Sequence, residues 1–360
     1  YRWYKESWGG FWGFQFGWLE WLSWMFEAAL YPTLVAIYCV HFFWPEAGTF
    51  TTWCITLAVI WMSIVLNIRG IQTVGKWSAI LAWFQVIPVL WFIIIGVNHI
   101  NLSFLGSLNI PANSTTLDAL TMALIFGLWN FSGYAGLAAA AEEIEDTPTT
   151  YPKALLITLI VSMVMYVVPL IIGISVDQNW SNWDEAQFNS VALVLGGGAF
   201  AWWFMLAAQS SNFGLINSEL IVLSRLIQAM AKDGFLPQVL DKLHRKYETP
   251  VHSLVMQGIL LSIMTFGMGF VDLLVVGTWL SIPTYLIGFA VFISLRIQKP
   301  DMDRPFKIKG GWPVIIPIVA IPCFIALFIF INTPKEYLLE TIPLLLSGFA
   351  VYFIQKIFSK

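Results

Sequence analysis

Ten long apolar runs follow one another along the chain, and the gaps between them carry positive charge almost wholly on one side. When the gaps are numbered alternately inside and outside, starting inside at Tyr1, Lys335 is the one cation of 18 Lys and Arg residues that falls outside. Short cytoplasmic loops retain Lys and Arg in membrane proteins, so this asymmetry orients the chain. A wrong number of spans would scramble the alternation. The pattern therefore predicts both the spans and their direction.

Composition predicts an all-α polytopic membrane protein. Hydrophobic residues make up 58% of the 360 residues and charged residues 11%, which is more apolar surface than a soluble protein buries. A bilayer core requires about 20 apolar residues per helix. The runs are continuous, whereas a membrane β-barrel would show short alternating segments. We expect one transmembrane domain over residues 1–360, with helices near 11–43, 50–68, 74–98, 118–141, 154–176, 191–228, 252–270, 272–295, 313–332 and 338–355.

Several classes of protein find no support in the sequence. The three Cys residues lie inside apolar runs and imply no disulfide framework, and the four His residues lack the spacing of a metal site. The sequence shows no nucleophile–base pair or phosphate loop, so we expect no enzyme, no cofactor and no nucleic-acid partner. Sequons at Asn101, Asn113 and Asn179 lie in outside loops and predict a glycoprotein. The expected location is the plasma membrane, with an endosome or vacuole as alternatives.

Two runs depart from a plain membrane helix. The run 118–141 carries NFSGYAG at 130–136, and its glycines weaken the helix at a depth where lipid cannot satisfy a freed backbone. Transporters expose such interruptions to substrate or ion, whereas close helix packing through small residues is the alternative. The run 191–228 is too long for one span and polar in its middle. A tilted helix lining a wet cavity would explain both features.

Three carboxylates lie within the apolar runs. Glu20 and Glu27 are seven residues apart and share one helix face, while Glu219 lies in the sixth run. A carboxylate at bilayer depth is costly unless it is paired, protonated or hydrated, so it marks a substrate or proton pathway by default. Glu20 is near enough to the inner end to reach the interface. No Lys or Arg lies deep in any run, so we predict that Glu27 and Glu219 meet a cationic substrate or a proton.

Several stretches resemble the amino acid–polyamine–organocation transporters. Residues 141–155 (AEEIEDTPTTYPKAL), after the glycine-rich run, resemble the sixth helix and following loop of that family. Residues 223–237 (LSRLIQAMAKDGFLP), followed by Thr249 and Pro250, resemble its eighth helix and inner loop. Shorter stretches are similar to the plant and protist polyamine uptake branch, namely 12–18 (WGFQFGW), 29–32 (ALYP), 66–70 (LNIRG) and 304–307 (RPFK).

The resemblance implies a five-plus-five inverted repeat with two further helices, of which about ten of twelve are expected here. The chain then starts just before the third helix. The resemblance places Glu219 at a substrate-lining position of the eighth helix and Glu27 at an acidic position on the third helix of the polyamine branch. Ala135 stands where polyamine transporters tend to carry Asp, so amino acid transport stays open. The expected substrate-binding residues are Asn130, Phe131, Ser132, Gly133, Tyr134, Glu219, Glu27 and Tyr31.

Together these features predict a secondary active permease for polyamines or amino acids that works by alternating access. Glu27 and Glu219 would couple transport to protons, while Tyr31, Phe131 and Tyr134 would offer aromatic faces to a cation. The alternative is a membrane sensor or accessory subunit that binds substrate without moving it. A channel would need a ring or symmetric filter, and none is visible. The expected partners are the small-molecule substrate, H⁺ and the bilayer, and the oligomeric state stays open.

Overall fold

The computed structural model describes residues 1–70, 74–106, 114–133, 146–179, 183, 185–302, 304 and 306–358. Its α-helices within these ranges are α1 (Arg2–Trp8), α2 (Gly10–Phe43), α3 (Thr49–Ile68), α4 (Val74–Gly96), α5 (Thr116–Asn130), α6 (Thr147–Val176), α7 (Gln187–Lys232), α8 (Val251–Met264), α9 (Phe270–Gln298), α10 (Gly311–Asn332) and α11 (Lys335–Phe358). Short 3₁₀ turns lie at Val97–His99, Leu102–Gly106 and Gln238–Asp241.

Eight helices in the described part of the chain are long and apolar enough to cross a bilayer. They are α2, α3, α4, α6, α7, α9, α10 and α11. The helices α5 and α8 are apolar but shorter, with 15 and 14 residues. The prediction of an all-α polytopic membrane protein is confirmed. The inverted repeat stays a prediction.

The long sixth run contains a kink near its start. Gly197 adopts φ +75° and ψ −179° within α7, a left-handed backbone that glycine tolerates because it has no Cβ. The segment before Gly197 contributes Val191 to a small apolar cluster with Phe92 of α4 and Ile172 of α6. The helix that continues from residue 198 to Lys232 passes through the main core and is still longer than the roughly 20 residues that one span requires. The tilt of this part stays a prediction.

The run predicted at 252–270 contains a turn as well as a helix. The helix α8 ends at Met264, and Gly267 follows with φ +79°. The backbone N–H of Gly269 then donates to Asp272 Oδ2 over 3.1 Å, which caps the start of α9. Apolar residues in the turn hid this boundary, because hydropathy alone cannot separate a helix from an adjoining apolar turn.

The helix α2 lies at the centre of the main core. It packs against α3, α7 and α9, so one helix contacts both carboxylate-bearing and cavity-lining neighbours. Trp21 and Met25 of α2 are fully buried in a cluster that includes Leu223 of α7 and Leu280 of α9. In lipid such contacts stabilise the bundle through packing, since a lipid tail is as apolar as the side chains themselves.

The amphipathic helix α1 connects the inner ends of two spanning helices. Lys5 Nζ lies 2.8 Å from Asp233 Oδ2, just beyond the end of α7. Glu6 pairs with Lys299, which follows the end of α9. The hydrogen bond from Lys299 lowers the pKa of the Glu6 carboxyl below its usual range, so this pair stays charged at neutral pH. The inner ends of α7 and α9 are thus joined through α1.

Arg304 caps the inner end of α9. Its Nη2 donates to the carbonyl oxygens of Leu295 and Lys299 over 3.1 and 2.8 Å. Its Nη1 donates to those of Pro300 and Met302 over 3.0 and 3.1 Å. One planar guanidinium therefore satisfies helix-end carbonyls that would otherwise require water, and its charge complements the negative end of the helix.

Replacing Arg304 by Ala is expected to destabilise the protein by about 1–3 kcal/mol, because several carbonyls lose a charged donor. Arg304→Lys should recover only part of this, since an ammonium lacks the planar fork. Thermal unfolding of the purified protein in detergent measures the effect. Arg245→Ala, at an exposed inner-loop position, is the control and should leave the melting temperature unchanged. Equal melting temperatures for Arg304→Ala and the control would contradict the capping role.

Candidate functional site

The helix α5 ends where its sequence becomes glycine-rich. Asn130 is its last residue, and the Asn130 side chain donates to the carbonyl oxygen of Phe126 over 2.9 Å. Phe131 has left helical geometry with φ −105° and ψ 12°, and Gly133 follows with φ +88°. A left-handed residue at this point favours glycine because any Cβ would strain the backbone. The helix therefore stops at Asn130, and Ser132 in the segment that follows contacts Glu27 of α2.

A small cavity of about 30 Å³ lies between α2, α5 and α9. Each helix contributes at least one hydroxyl or carboxyl group to a lining that is otherwise apolar and aromatic. The polar lining residues are Ser23, Glu27, Ser132, Thr278, Ser281 and Tyr285. The aromatic lining includes Trp24 and Trp129. Such a mixture of apolar walls with a few convergent polar groups is typical of a small-molecule site.

The carboxyl group of Glu27 joins α2 to the broken end of α5. Ser132 Oγ lies 3.0 Å from Glu27 Oε1 and donates to it or to the carbonyl of Trp129. Tyr31 OH donates to the same Glu27 oxygen over 3.4 Å, from one turn further along α2. Both hydrogen bonds use Oε1. Within the described ranges, Glu27 Oε2 receives no hydrogen bond and has no cationic partner.

Glu219 on α7 lies at the same depth as Glu27 on α2. These helices run antiparallel, with Phe42 against Trp202 at the outer end and Phe14 against Phe235 at the inner end, at 5.5 Å between ring centroids in each pair. Interpolation between the two contacts sets residue 27 level with residue 219. The two carboxyl groups are close enough to interact electrostatically with each other and with the Tyr31 hydroxyl.

One oxygen of the half-buried Glu219 side chain lacks a hydrogen-bond partner. Its Oε2 is inaccessible to solvent and has no hydrogen-bond partner among the described residues. It does not line the cavity that contains Glu27. The structure therefore brings the two predicted carboxyl groups close enough to interact electrostatically, but only Glu27 lines the cavity. An uncompensated carboxylate at this depth costs several kcal/mol unless a proton or cation neutralises it.

The other predicted site residues fall in different surroundings. Phe131 contacts Tyr166 of α6 edge to face, with 5.6 Å between ring centroids. The Asn130 side chain is exposed and does not line the cavity. Gly133 contributes backbone geometry alone. Tyr134 lies outside the described residues, as do residues 135–145 with the acidic stretch after the broken helix.

Residues of α9 were not predicted as part of the site. Thr278, Ser281 and Tyr285 line the cavity opposite Glu27. They are separated by three and four residues, the spacing that puts side chains on one face of a helix. The sequence signal for them was a polar stripe at that spacing within an apolar span. It is a weak signal, because hydroxyls in membrane helices commonly bond their own backbone carbonyls.

Gly277 allows α9 to approach α2 closely beside Glu27. A Cβ built at Gly277 would lie 2.9 Å from the Cβ of Phe26 and 3.7 Å from the backbone nitrogen of Glu27. The first distance is too short for two carbon atoms, so a larger residue would push the helices apart. The close approach sets the width of the cavity between Glu27 and the α9 hydroxyls.

The chain is similar to a family of known proteins along almost its whole length. The sequence model of the amino acid permease family matches residues 1–352. A probable polyamine transporter of Arabidopsis thaliana is 27% identical over 97% of this chain and 70% of its own length. A polyamine transporter of Oryza sativa subsp. japonica is 30% identical over 92% of this chain and 62% of its own length. The large neutral amino acids transporter small subunit 2 of Rattus norvegicus is 27% identical over 98% of this chain and 67% of its own length.

Gly277→Ala is expected to destabilise the protein by about 1–3 kcal/mol, because the added methyl group overpacks the α2–α9 contact. Gly288→Ala is the matched control on the same helix, since a Cβ there would meet only the Tyr4 hydroxyl at 3.7 Å. Thermal unfolding in detergent compares the two variants. A Gly277→Ala protein as stable as Gly288→Ala would show that α9 can move away from α2 without cost.

Proposed function

Because the chain belongs to the amino acid permease family, we propose that it is a secondary active transporter that moves polyamines or amino acids across a membrane with protons. The names of its relatives span both substrate classes, polyamines in the two plants and large neutral amino acids in the rat. The observation that carries the proposal is Glu27, a carboxyl group facing a cavity at bilayer depth with no cationic partner in the described part of the protein.

The charge arrangement favours a substrate with at least one ammonium group. Glu27 and Glu219 repel one another when both are ionised, and neither has a described Lys, Arg or His beside it. A bound ammonium would relieve the repulsion and restore the hydrogen bonds that burial removes. A neutral amino acid brings a carboxylate together with its ammonium group, so it would leave the net negative charge of the site uncompensated. The carboxylates thus favour polyamines and cationic amino acids over neutral ones.

Protons can occupy the same groups between transport cycles. A carboxyl group without a countercharge in a low-dielectric site is stabilised by protonation when the substrate leaves. Glu219 has a buried oxygen with no described hydrogen-bond partner, which makes it the stronger candidate for this role. Exchange of a proton for an ammonium at one carboxylate would couple the two movements without further machinery.

The broken end of α5 supplies a moving part for alternating access. Ser132, just after the end of α5, contacts the Glu27 carboxyl group that we assign to substrate binding. The position of the break and the occupancy of the site are therefore linked. Discontinuous helices near the midplane serve this purpose in secondary transporters. Rearrangement of α5 against α2 and α9 would open the cavity to one side at a time.

Glu27→Gln is expected to raise the KM for labelled putrescine or lysine about tenfold to hundredfold, because a charge-assisted hydrogen bond to the ammonium is lost. Glutamine retains an oxygen for Ser132, so the fold should tolerate the change. Uptake by the full-length protein in a host lacking its own polyamine and lysine transporters measures the effect. Glu46→Gln, on an exposed outer loop, is the matched control.

Other outcomes of this uptake experiment separate the alternatives. Uptake of a neutral amino acid that is unchanged in Glu27→Gln would remove the cationic substrate from the proposal. Saturable binding with no uptake of any of these compounds would instead favour a membrane sensor or accessory subunit.

Proton coupling predicts that a more acidic outer solution speeds uptake. In proteoliposomes containing the full-length protein, an inward proton gradient should raise the initial rate of putrescine or lysine uptake several-fold. Glu219→Gln should abolish this stimulation while leaving downhill exchange measurable, because the variant cannot release a proton. Uptake that is independent of the gradient in the wild type would contradict proton coupling, and uptake that follows a sodium gradient would replace it.

A further inference from the structure

Three serine hydroxyls meet at the cavity beside Glu27, one from each surrounding segment. Ser23 lies on α2, Ser132 follows the end of α5, and Ser281 lies on α9. Each hydroxyl has the backbone carbonyl three residues earlier as a hydrogen-bond acceptor, at 2.9, 2.8 and 2.7 Å respectively. A serine hydroxyl has one proton and two lone pairs. The protons of Ser23 and Ser281 are directed at these local acceptors, so both oxygens remain able to accept. Ser132 has two acceptors within reach, the Trp129 carbonyl and Glu27 Oε1. Its oxygen accepts from a ligand when its proton is directed at the Trp129 carbonyl.

This arrangement accumulates acceptors around one small space. Glu27 adds a carboxyl group whose Oε2 receives no hydrogen bond within the described ranges. Thr278 and Tyr285 complete the polar lining. A ligand that suits this lining has several donors, no acceptor and a positive charge. An alkylammonium group has three N–H donors and no lone pair.

We propose that this cavity is a subsite for a single primary ammonium group of the transported substrate. The assignment rests on the proposed transport of amines and names the chemical group that the Glu27 side of the site recognises. Glu27 supplies the countercharge, and the oxygens of Ser23, Ser132 and Ser281 accept N–H bonds from three directions. The remaining substrate extends from the subsite toward the other carboxylate, Glu219.

The hydrogen-bond acceptors of the lining favour the primary ammonium over its methylated forms. The cavity measures about 30 Å³, and one water-sized group requires roughly 10–15 Å³ on this scale, so an –NH₃⁺ head fits. A trimethylammonium head is bulkier and offers no N–H donor to the surrounding oxygens. Methylation therefore removes the hydrogen bonds and adds bulk beside Glu27.

Aromatic walls favour an ammonium over a sodium ion in the same space. Trp24 and Trp129 line the cavity together with the oxygens. Indole rings attract organic cations through their faces, but they cannot replace the oxygen ligands that a small, strongly hydrated metal ion loses on entry. An oxygen cage alone would suit either cation. The two tryptophans make the site more suitable for the ammonium.

Binding of labelled putrescine to the purified full-length protein tests the subsite directly. Unlabelled putrescine should compete at least about tenfold better than its bis-trimethylammonium analogue, because the analogue loses charged hydrogen bonds. Labelled cadaverine, with cadaverine and its bis-trimethylammonium analogue as competitors, provides the second pair. Exchange of NaCl for CsCl at equal ionic strength should leave binding unchanged.

Ser281→Ala should weaken binding of the primary amines roughly tenfold and reduce their advantage over the methylated analogues. Ser281→Thr retains the hydroxyl and should restore much of the selectivity. Ser262→Ala is the matched control, because Ser262 on α8 also donates to its own helix, to Gly258 over 2.7 Å, but does not line the cavity.

The outcomes separate the subsite from the transport function. Selective binding without uptake would sustain the subsite and overturn the proposed transport. Uptake in which methylated and primary amines compete equally would sustain transport and overturn the subsite. Binding that requires Na⁺ and is lost in Ser281→Ala would assign the cavity to the metal ion instead, and absence of binding by every amine would also overturn the subsite.

Discussion

The contact between Ser132 Oγ and Glu27 Oε1, at 3.0 Å, is the interaction on which the arrangement of the site depends. It exists because α5 stops at Asn130 and the chain turns through Gly133. The Ser132 hydroxyl also has the carbonyl of Trp129 within hydrogen-bond distance, at 2.8 Å, so it lies between its own backbone and the Glu27 carboxyl group. The break gives the central helix α2 a partner on a segment with irregular backbone. Such backbone is tolerated at membrane depth only where protein or a cavity receives it.

Two opposing requirements shape the surroundings of this contact. Buried carboxyl groups must be neutralised or hydrogen-bonded, since an isolated charge in a low-dielectric interior is strongly disfavoured. A site for a cation must nevertheless keep some of that capacity unused until the cation arrives. Glu27 is partly satisfied by Ser132 and Tyr31, while Glu219 retains a buried oxygen without a described partner. This difference between the two carboxylates supports the proposal that Glu27 holds the substrate and Glu219 holds a proton.

The large-scale predictions from the sequence are confirmed because they depend on local chemistry summed over many residues. The family and the all-α polytopic fold follow from apolar runs, charge asymmetry and several matched stretches. The kink at Gly197 near the start of the run 191–228 was not predicted. A glycine in an apolar run predicts a kink no better than it predicts close packing. The α9 hydroxyls were missed because a Ser or Thr in a membrane helix usually donates to a carbonyl of its own helix, as Ser281 does, and so does not by itself predict a site.

By itself, the sequence determined that this protein crosses the membrane many times, with a glycine-rich interruption in one helix and carboxylates in two others, and it predicts the direction of crossing. These properties follow from free energies of transfer, which each residue carries regardless of its neighbours. Only the tertiary structure decided which groups face one another. In the folded protein Ser132 contacts Glu27, and Gly277 lets α9 approach α2 closely. Glu219 lies outside the cavity that Glu27 lines. Contacts between helices distant in sequence depend on packing shape and depth register, and no single segment encodes either of these.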